Sequence, residues 1–233
     1  MTTLAQQPGS DMESSKGGWP APRARCARLV VMDHRDHVGL LREGVVGGGK
    51  AWADLGSGEG AFTLALADLL GPTGSIHTVD RDGRALQVQL RALRDAFPNV
   101  SVAALVADFT RPLELPPLDG IVMANSLHFE RDKVAVVRLV GSYLRPGGRL
   151  VLVEYDTDHG NPWVPFPLSF RSWAGVAAQA GFRDTQRLAS VPSRFLGSIY
   201  SAVSYLGLDS SWAVQLIDRD SHAAESGKSP ERP

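Results

Sequence analysis

Short apolar runs alternate with helical patterns along the middle of the chain. The runs are rich in Val, Ile, Leu and Ala, which is typical of strands that are buried on both faces of a sheet. They predict seven strands, over residues 51–55, 75–80, 100–106, 120–124, 149–155, 182–188 and 198–205. Apolar residues at helical spacing predict one or two helices over 31–46 and further helices over 61–70, 82–97, 134–144 and 169–180.

This alternation of strands and helices predicts an α/β fold. Connections through helices favour a parallel sheet with helices on both faces. The last two predicted strands are joined by a stretch without a helical pattern, which predicts an antiparallel hairpin at the end of the sheet. The sequence therefore indicates a Rossmann-like sheet that is mostly parallel.

The two ends of the chain differ in composition from the middle. Residues 1–24 are rich in Gly, Ser, Gln, Pro and Thr and have no apolar period, so we expect a disordered tail. Residues 208–233 are expected to form a second tail that is mostly disordered. One domain over residues 25–207 is left, in a chain of 233 residues.

Charge and cysteine content narrow the class of partner. The 24 Lys and Arg residues nearly balance the 25 Asp and Glu residues, giving a net charge of −1. This balance offers no general attraction to nucleic acid or to an anionic membrane. The single cysteine, Cys26, excludes an intrachain disulfide and a multi-cysteine zinc site. No apolar run approaches the roughly 20 residues that span a bilayer, and we expect a cytoplasmic protein.

A glycine-rich loop follows the first predicted strand and leads into a helix. It reads Asp-Leu-Gly-Ser-Gly-Glu-Gly over residues 54–60. Glycines let a ligand approach the backbone, and free amides beside a helix N-terminus favour a negative group. Asp54 adds a carboxylate for an ammonium group, so a zwitterionic amino-acid moiety suits the loop. A glycine turn that binds nothing is the alternative.

Acidic residues also end the next two strands. Asp80 ends the second strand, where a carboxylate in nucleotide-binding sheets bonds the ribose hydroxyls. Asp82 is the better candidate for the helix cap, which leaves Asp80 available. Asp108 and Phe109 follow the third strand and could accept from an adenine amino group and pack against its ring. A solvated acid at 80 and a plain turn at 108 are the alternatives.

These segments, taken in order, resemble the class I S-adenosylmethionine-dependent methyltransferases, and the small-molecule, quinone-type branch most strongly. The matching stretches are ADLGSGEG (53–60), HTVD (77–80), VADF (106–109), LDGIVMANSLHF (118–129) and LRPGGRLVLVEY (144–155). The resemblance implies seven strands in the order 3-2-1-4-5-7-6, with the last strand antiparallel. It implies that the domain over 25–207 includes an N-terminal lid helix.

The resemblance also implies a binding site for S-adenosylmethionine. It assigns the methionine end of the cofactor to Asp54, Gly56, Ser57 and Gly58. It assigns the ribose to Asp80 with Arg81 beside it, the adenine to Asp108 and Phe109, and the completion of the pocket to the backbone near Asn125.

His128 is the candidate catalytic residue. It follows the fourth strand, where the acceptor is expected, and an imidazole can remove a proton near neutral pH. The alternative is a histidine that only lines the pocket. Glu154 and Tyr155 end the fifth strand and could orient an acceptor, and a role without contact to the acceptor is the alternative for them. His34 and His37 supply two imidazoles, which do not make a metal site, and we expect no metal.

We therefore expect an enzyme that transfers a methyl group to a small-molecule acceptor by in-line displacement. The alternatives are a binding module that keeps the fold without turnover, a nicotinamide-dependent oxidoreductase, and methylation of a macromolecule. The G-x-G-x-G spacing opposes the oxidoreductase. Asn125-Ser126-Leu127-His128 lacks the motif of nucleic-acid amino methylation, and one cysteine opposes cysteine-rich arsenic methylation. We expect no nucleic-acid or membrane partner and a monomer or homodimer.

Overall fold

The computed structural model describes residues 32–207, which form one seven-stranded sheet with helices on both faces. The strands lie in the order β3-β2-β1-β4-β5-β7-β6. Strands β1 to β5 are parallel, and β7 pairs antiparallel with both β5 and β6. The predicted fold class and strand order are confirmed. The strands are β1 (Ala51–Leu55), β2 (Ser75–Asp80), β3 (Ser101–Val106), β4 (Leu118–Ala124), β5 (Leu144–Tyr155), β6 (Phe182–Ser193) and β7 (Gly197–Leu206).

Within residues 32–207, five α-helices cover the sheet. They are α1 (His34–Val45), α2 (Ala61–Leu70), α3 (Gly83–Ala96), α4 (Lys133–Gly141) and α5 (Phe170–Gln179). One apolar cluster packs α1, α2 and α3 against one face of the sheet, and a second packs α4 and α5 against the other. Because both faces are covered, six of the seven residues of β4 are buried, which explains its continuous apolar run.

Local signals set the helix ends. Asp82 accepts from the amides of Arg84 and Ala85 at 2.8 and 3.3 Å, so the predicted cap of α3 is confirmed. The helix predicted over 134–144 ends earlier, at Gly141. The chain then enters β5 at Leu144, which pairs with Leu118, and pairing resumes at Arg149 opposite Gly120, so residues 145–148 form a bulge within the strand.

The predicted tails and the predicted lid helix lie towards the ends of the chain. The predicted tails over 1–24 and 208–233 lie outside the described residues. Helix α1 buries Leu40, Leu41 and Val45 in the same cluster as α2, so it forms part of the core layer on that face. Its role as a lid stays a prediction. No helix within residues 32–207 is long and apolar enough to cross a membrane.

Candidate functional site

A cavity of about 220 Å³ opens where β1, β2, β3 and β4 end. These strands flank the point at which the strand order reverses, the usual ligand site of open α/β sheets. Six of the residues predicted to bind the cofactor line this cavity: Gly56, Asp80, Arg81, Asp108, Phe109 and Asn125. Ala107, Ser126, Phe129 and Glu130 complete its wall. Asp54, Ser57, Gly58 and His128 lie outside this lining.

Gly56 allows the ends of β1 and β4 to approach closely. It has a φ of +77°, and a Cβ there would lie 2.4 Å from the Cβ of Ser126. The Ser126 hydroxyl donates to the Leu55 carbonyl at 2.8 Å and ties the two strand ends together. A side chain at position 56 would therefore separate the strands that form the cavity wall.

The amides of the glycine loop are used differently from the prediction. The amides of Gly56 and Ser57 donate to the Val79 carbonyl at 2.8 and 3.1 Å. The Gly58 amide donates to Asp80 Oδ2 at 2.8 Å. The expectation that the loop presents free amides is therefore wrong for these three positions, because the loop folds back onto the end of β2.

Asp80 is a cavity carboxylate that the backbone holds in place. Its Oδ2 accepts from Gly58 and its Oδ1 accepts from the Asp82 amide at 2.8 Å. Each carboxylate oxygen has two lone pairs, so both can still accept from a hydroxyl in the cavity. Arg81 lies beside it on the same wall and is exposed.

Asp54 is buried beneath the loop rather than exposed in the cavity. Its Oδ2 accepts from the Thr63 hydroxyl at 2.5 Å, and its Oδ1 is buried with no hydrogen-bond partner among the described residues. Burial raises the pKa of Asp54 to about 7, while the Thr63 hydrogen bond lowers it and the charge of Asp80 raises it. A buried, unsatisfied carboxylate oxygen is costly, and an ammonium group would satisfy it.

Asp108, Phe109 and Asn125 also line the cavity. Asp108 Oδ1 accepts from the amide and the hydroxyl of Thr110, and these hydrogen bonds hold the pKa of Asp108 below its ordinary value. Phe109 is half-buried against the core and presents its ring to the cavity. Asn125 has a φ of +52°, and its buried Oδ1 has no hydrogen-bond partner within residues 32–207.

His128 forms a buried pair with Glu154. Its Nδ1 lies 2.9 and 3.0 Å from the two carboxylate oxygens, and the side chains are only 4% and 0% exposed. The Tyr155 amide donates to the same carboxylate at 2.9 Å. A carboxylate only accepts, so this contact places the proton on Nδ1 and leaves the Nε2 lone pair to act as a base. The His128 ring packs 4.3 Å from that of Phe129, which lines the cavity.

His128 and Glu154 are both candidates from the sequence, but the local sequence does not predict that they pair. The signal that could have found the pair is strand register. Ala124 pairs with Val153 in the sheet, so the residues that follow β4 lie beside the last residues of β5.

The two histidines of α1 lie elsewhere. His34 Nε2 is 3.1 Å from Asp68 Oδ2 at the surface, and the His37 ring packs edge-on 4.7 Å from that of Phe62. Burial lowers the pKa of His37. No group of three or more residues that could hold a metal ion occurs in the part of the chain that the structure describes.

Similarity to a known protein family identifies the class of this protein. The family model described as "Methyltransferase domain" matches residues 48–187, from before β1 into β6. The chain belongs to this family. The resemblance to S-adenosylmethionine-dependent methyltransferases drawn from the motifs is thereby confirmed. The matched region contains every residue predicted to bind the cofactor.

Curated relatives match between 44% and 62% of the length of this methyltransferase. The ubiquinone/menaquinone biosynthesis C-methyltransferase UbiE of Pseudomonas aeruginosa is 28% identical over 114 residues, covering 48% of this chain and 44% of the relative. An arsenite methyltransferase of Aquipseudomonas alcaligenes is 32% identical over 152 residues, covering 62% of this chain and 44% of the relative. The chain thus spans less than half the length of these relatives.

Solved structures share its fold. The YcgJ protein of Bacillus subtilis superposes with a TM-score of 0.60 at 14% identity, covering 75% of this chain and 99% of that one. An arsenic(III) S-adenosylmethionine methyltransferase of Chlamydomonas reinhardtii superposes with a TM-score of 0.54 at 20% identity, covering 67% and 62%. At these identities the likeness concerns the fold alone.

Proposed function

We propose that this methyltransferase moves a methyl group from S-adenosylmethionine to a small-molecule acceptor whose reacting atom must lose a proton. The observation that carries the proposal is the cavity at the strand ends, with Asp80 in its wall and the buried His128–Glu154 pair beside it. Family membership supports the reaction class, and the names of the curated relatives agree with a small acceptor.

The residues present fit the cofactor. The unsatisfied Asp54 Oδ1 suits its ammonium group, and the Asp80 carboxylate suits the two hydroxyls of its ribose. The Phe109 ring and Asp108 suit the adenine, while the Gly56 backbone gives room for close approach. Ser57 and Gly58 would hold the loop in place without contacting the cofactor, because the Ser57 hydroxyl is hydrogen-bonded to Thr78 and the Gly58 amide to Asp80.

The sulfonium of the cofactor supplies an already activated methyl group, so the chain has two tasks of its own. It must hold the acceptor in line with the methyl group, and it must take the proton that the acceptor releases. In this proposal His128 Nε2 accepts that proton. The Glu154 carboxylate then stabilises the imidazolium through Nδ1, 2.9 Å away.

The surroundings of His128 narrow the acceptor. The rings of Phe129 and Tyr155 lie 4.3 and 5.9 Å from the imidazole ring, and Phe129 is 50% exposed. Aromatic walls favour a flat or apolar acceptor, and a base favours an oxygen acid or a carbon acid. We propose a phenol-like or enol-like compound. The proposal includes a reducing, cytoplasmic setting, which the single cysteine supports.

The test has two stages. Isothermal titration calorimetry with S-adenosylmethionine, S-adenosylhomocysteine and NAD should show saturable binding of the first two and none of NAD. Mass spectrometry of reactions with a panel of phenols, enols and amines should then show a gain of one methyl group on an oxygen or carbon acid. Binding of NAD alone would favour an oxidoreductase. Cofactor binding with no methylated product would favour a binding module.

A further inference from the structure

A buried polar cluster lies under the glycine loop and has no part in the mechanism above. It consists of Ser57, Thr63, Thr78 and Gln89, and we call it the Gln89 cluster. Thr63, Thr78 and Gln89 are each 0% exposed, in a layer otherwise filled with apolar side chains. Burying this many polar groups is costly unless their hydrogen bonds serve each other, so the arrangement of those bonds is informative.

The Nε2 end of the Gln89 amide sets the direction in which the Thr63 hydroxyl donates. Gln89 Nε2 donates to Thr63 Oγ1, and Thr63 Oγ1 in turn donates to Asp54 Oδ2 at 2.5 Å. A hydroxyl has a single proton. Since Thr63 accepts from Gln89, its one proton is directed at Asp54, and the Asp54 carboxylate is held by that contact.

The other end of the amide reaches the loop. Gln89 Oε1 accepts from the Thr78 hydroxyl at 3.0 Å and from the Ser57 hydroxyl at 3.4 Å. Thr78 also lies 2.6 Å from Ser57, so its proton is shared between the two acceptors. One side chain of α3 thereby connects α2, β2 and the glycine loop.

Gly60 shows that the loop is shaped to fit Gln89. Gly60 has a φ of +91°, and a Cβ there would lie 2.3 Å from the Cγ of Gln89. The last glycine of the loop therefore leaves its side-chain space to the stem of Gln89. The packing of the stem and the hydrogen bonds of the amide are independent observations that fix the same side chain.

We propose that Gln89 is a positioning residue of the cofactor site, which acts through Thr63 to hold Asp54 with its Oδ1 presented to the ammonium group of S-adenosylmethionine. This inference rests on the proposed function. Gln89 does not line the cavity, and it reaches Asp54 through its hydrogen bond to Thr63. Asp80, at the end of β2, is the charged group that faces Asp54.

The inference predicts a specific pH effect. The Thr63 hydrogen bond lowers the pKa of Asp54, against burial and the charge of Asp80, which raise it. When Gln89 no longer fixes the Thr63 proton, the pKa of Asp54 should rise further. The ammonium group needs the ionised carboxylate, so the pH at which cofactor affinity reaches half its maximum should move upward.

The experiment compares Gln89→Met with Gln87→Met in the full chain. Gln87 lies two residues away on the same helix and is exposed, so it controls for the substitution itself. Calorimetric titration with S-adenosylhomocysteine between pH 5.5 and 8.5 should show roughly tenfold weaker binding at pH 7 for Gln89→Met, the effect of losing one charged hydrogen bond. The midpoint of its pH profile should lie above that of wild-type protein and of Gln87→Met.

A second variant and a second measurement distinguish the proposed role of Gln89 from misfolding of Gln89→Met. Gln89→Glu keeps the size of the side chain but cannot donate to Thr63 once ionised, so it should shift the midpoint in the same direction. Carbon-13 titration of the Asp54 carboxyl by NMR, without cofactor, should show a higher pKa in both Gln89 variants. An unchanged midpoint together with an unchanged Asp54 titration would overturn the role of Gln89 while leaving the proposed function intact. Failure of the wild-type protein to bind would overturn both.

Discussion

Replacement of Asp54 by Asn should stabilise the protein without cofactor at alkaline pH and abolish its cofactor binding. Asp54 is 1% exposed, and its Oδ1 has no hydrogen-bond partner within the described 32–207 region. Ionising this carboxyl in the folded protein is therefore unfavourable. Asn is neutral at every pH and has nearly the same shape, so the substitution removes that cost.

The size of the effect follows from the pKa. Burial raises the pKa of Asp54 to about 7 from the ordinary value of 3.8, which corresponds to about 4 kcal/mol when the group is fully ionised. Because the pKa is higher in the folded state, the contribution of Asp54 to stability is fully present below pH 3.8 and is lost as pH rises to about 7. Between pH 5 and pH 8 wild-type protein should lose about 2.5 kcal/mol relative to Asp54→Asn.

Urea denaturation at pH 5 and pH 8, followed by circular dichroism, measures this difference. The matched control is Asp95→Asn, which changes an exposed acid on α3. The stability gap between Asp54→Asn and wild type should widen with pH, whereas the gap for Asp95→Asn should stay constant. An equal gap at both pH values for Asp54→Asn would refute the account of its burial and its pKa.

Four further substitutions test other parts of the structure. Asp80→Ala should weaken S-adenosylmethionine binding by roughly 1.5–3 kcal/mol in calorimetry, since two hydroxyls lose a charged acceptor. His128→Ala should reduce turnover by about 10²-fold or more while cofactor affinity holds, because only proton removal is lost. Gly120→Ala should destabilise the protein by about 1–3 kcal/mol in urea, since its Cβ would lie 2.4 Å from the Trp52 ring. Gly39→Ala, whose Cβ would meet nothing within 4 Å, should instead stabilise α1 by about 0.5–1 kcal/mol.

Each of these has a result that would contradict it. An unchanged dissociation constant for folded Asp80→Ala would remove that carboxylate from the site. Wild-type turnover in His128→Ala would show that holding the acceptor in place suffices. Equal stability of Gly120→Ala and Gly39→Ala would mean that β1 and β4 do not pack as closely as the structure shows.

Element type could be predicted because the central strands are buried on both faces, whereas the strand order was implied by the resemblance to the methyltransferase family. Their continuous apolar runs, and the acids that end them, are properties of short segments. The limits of β5 were harder to predict, because its first residues are not apolar throughout. Arg145, Pro146 and Gly147 are exposed and form a bulge between the pairing of Leu144 with Leu118 and that of Arg149 with Gly120. Such pairing depends on a distant segment rather than on local sequence.

Some of the residues that line the cavity could also be predicted from the sequence. Asp80 and Asp108 stand at strand ends, and the topology of a parallel sheet brings such positions together. The His128–Glu154 pair joins side chains that are 26 positions apart in the sequence, and so does the hydrogen bond between Gln89 and Thr63. Local sequence does not indicate such contacts. Gln87 and Gln89 are the same residue type on the same helix, and only packing distinguishes the exposed one from the buried one.

We propose that S-adenosylmethionine binds in the cavity at the ends of β1, β2, β3 and β4. A crystal structure of the chain with S-adenosylhomocysteine tests it most directly. The account predicts the ribose hydroxyls against Asp80, the adenine beside Phe109 and the ammonium group toward Asp54. Nucleoside density at another place on the protein, or none in crystals soaked to saturation, would contradict it.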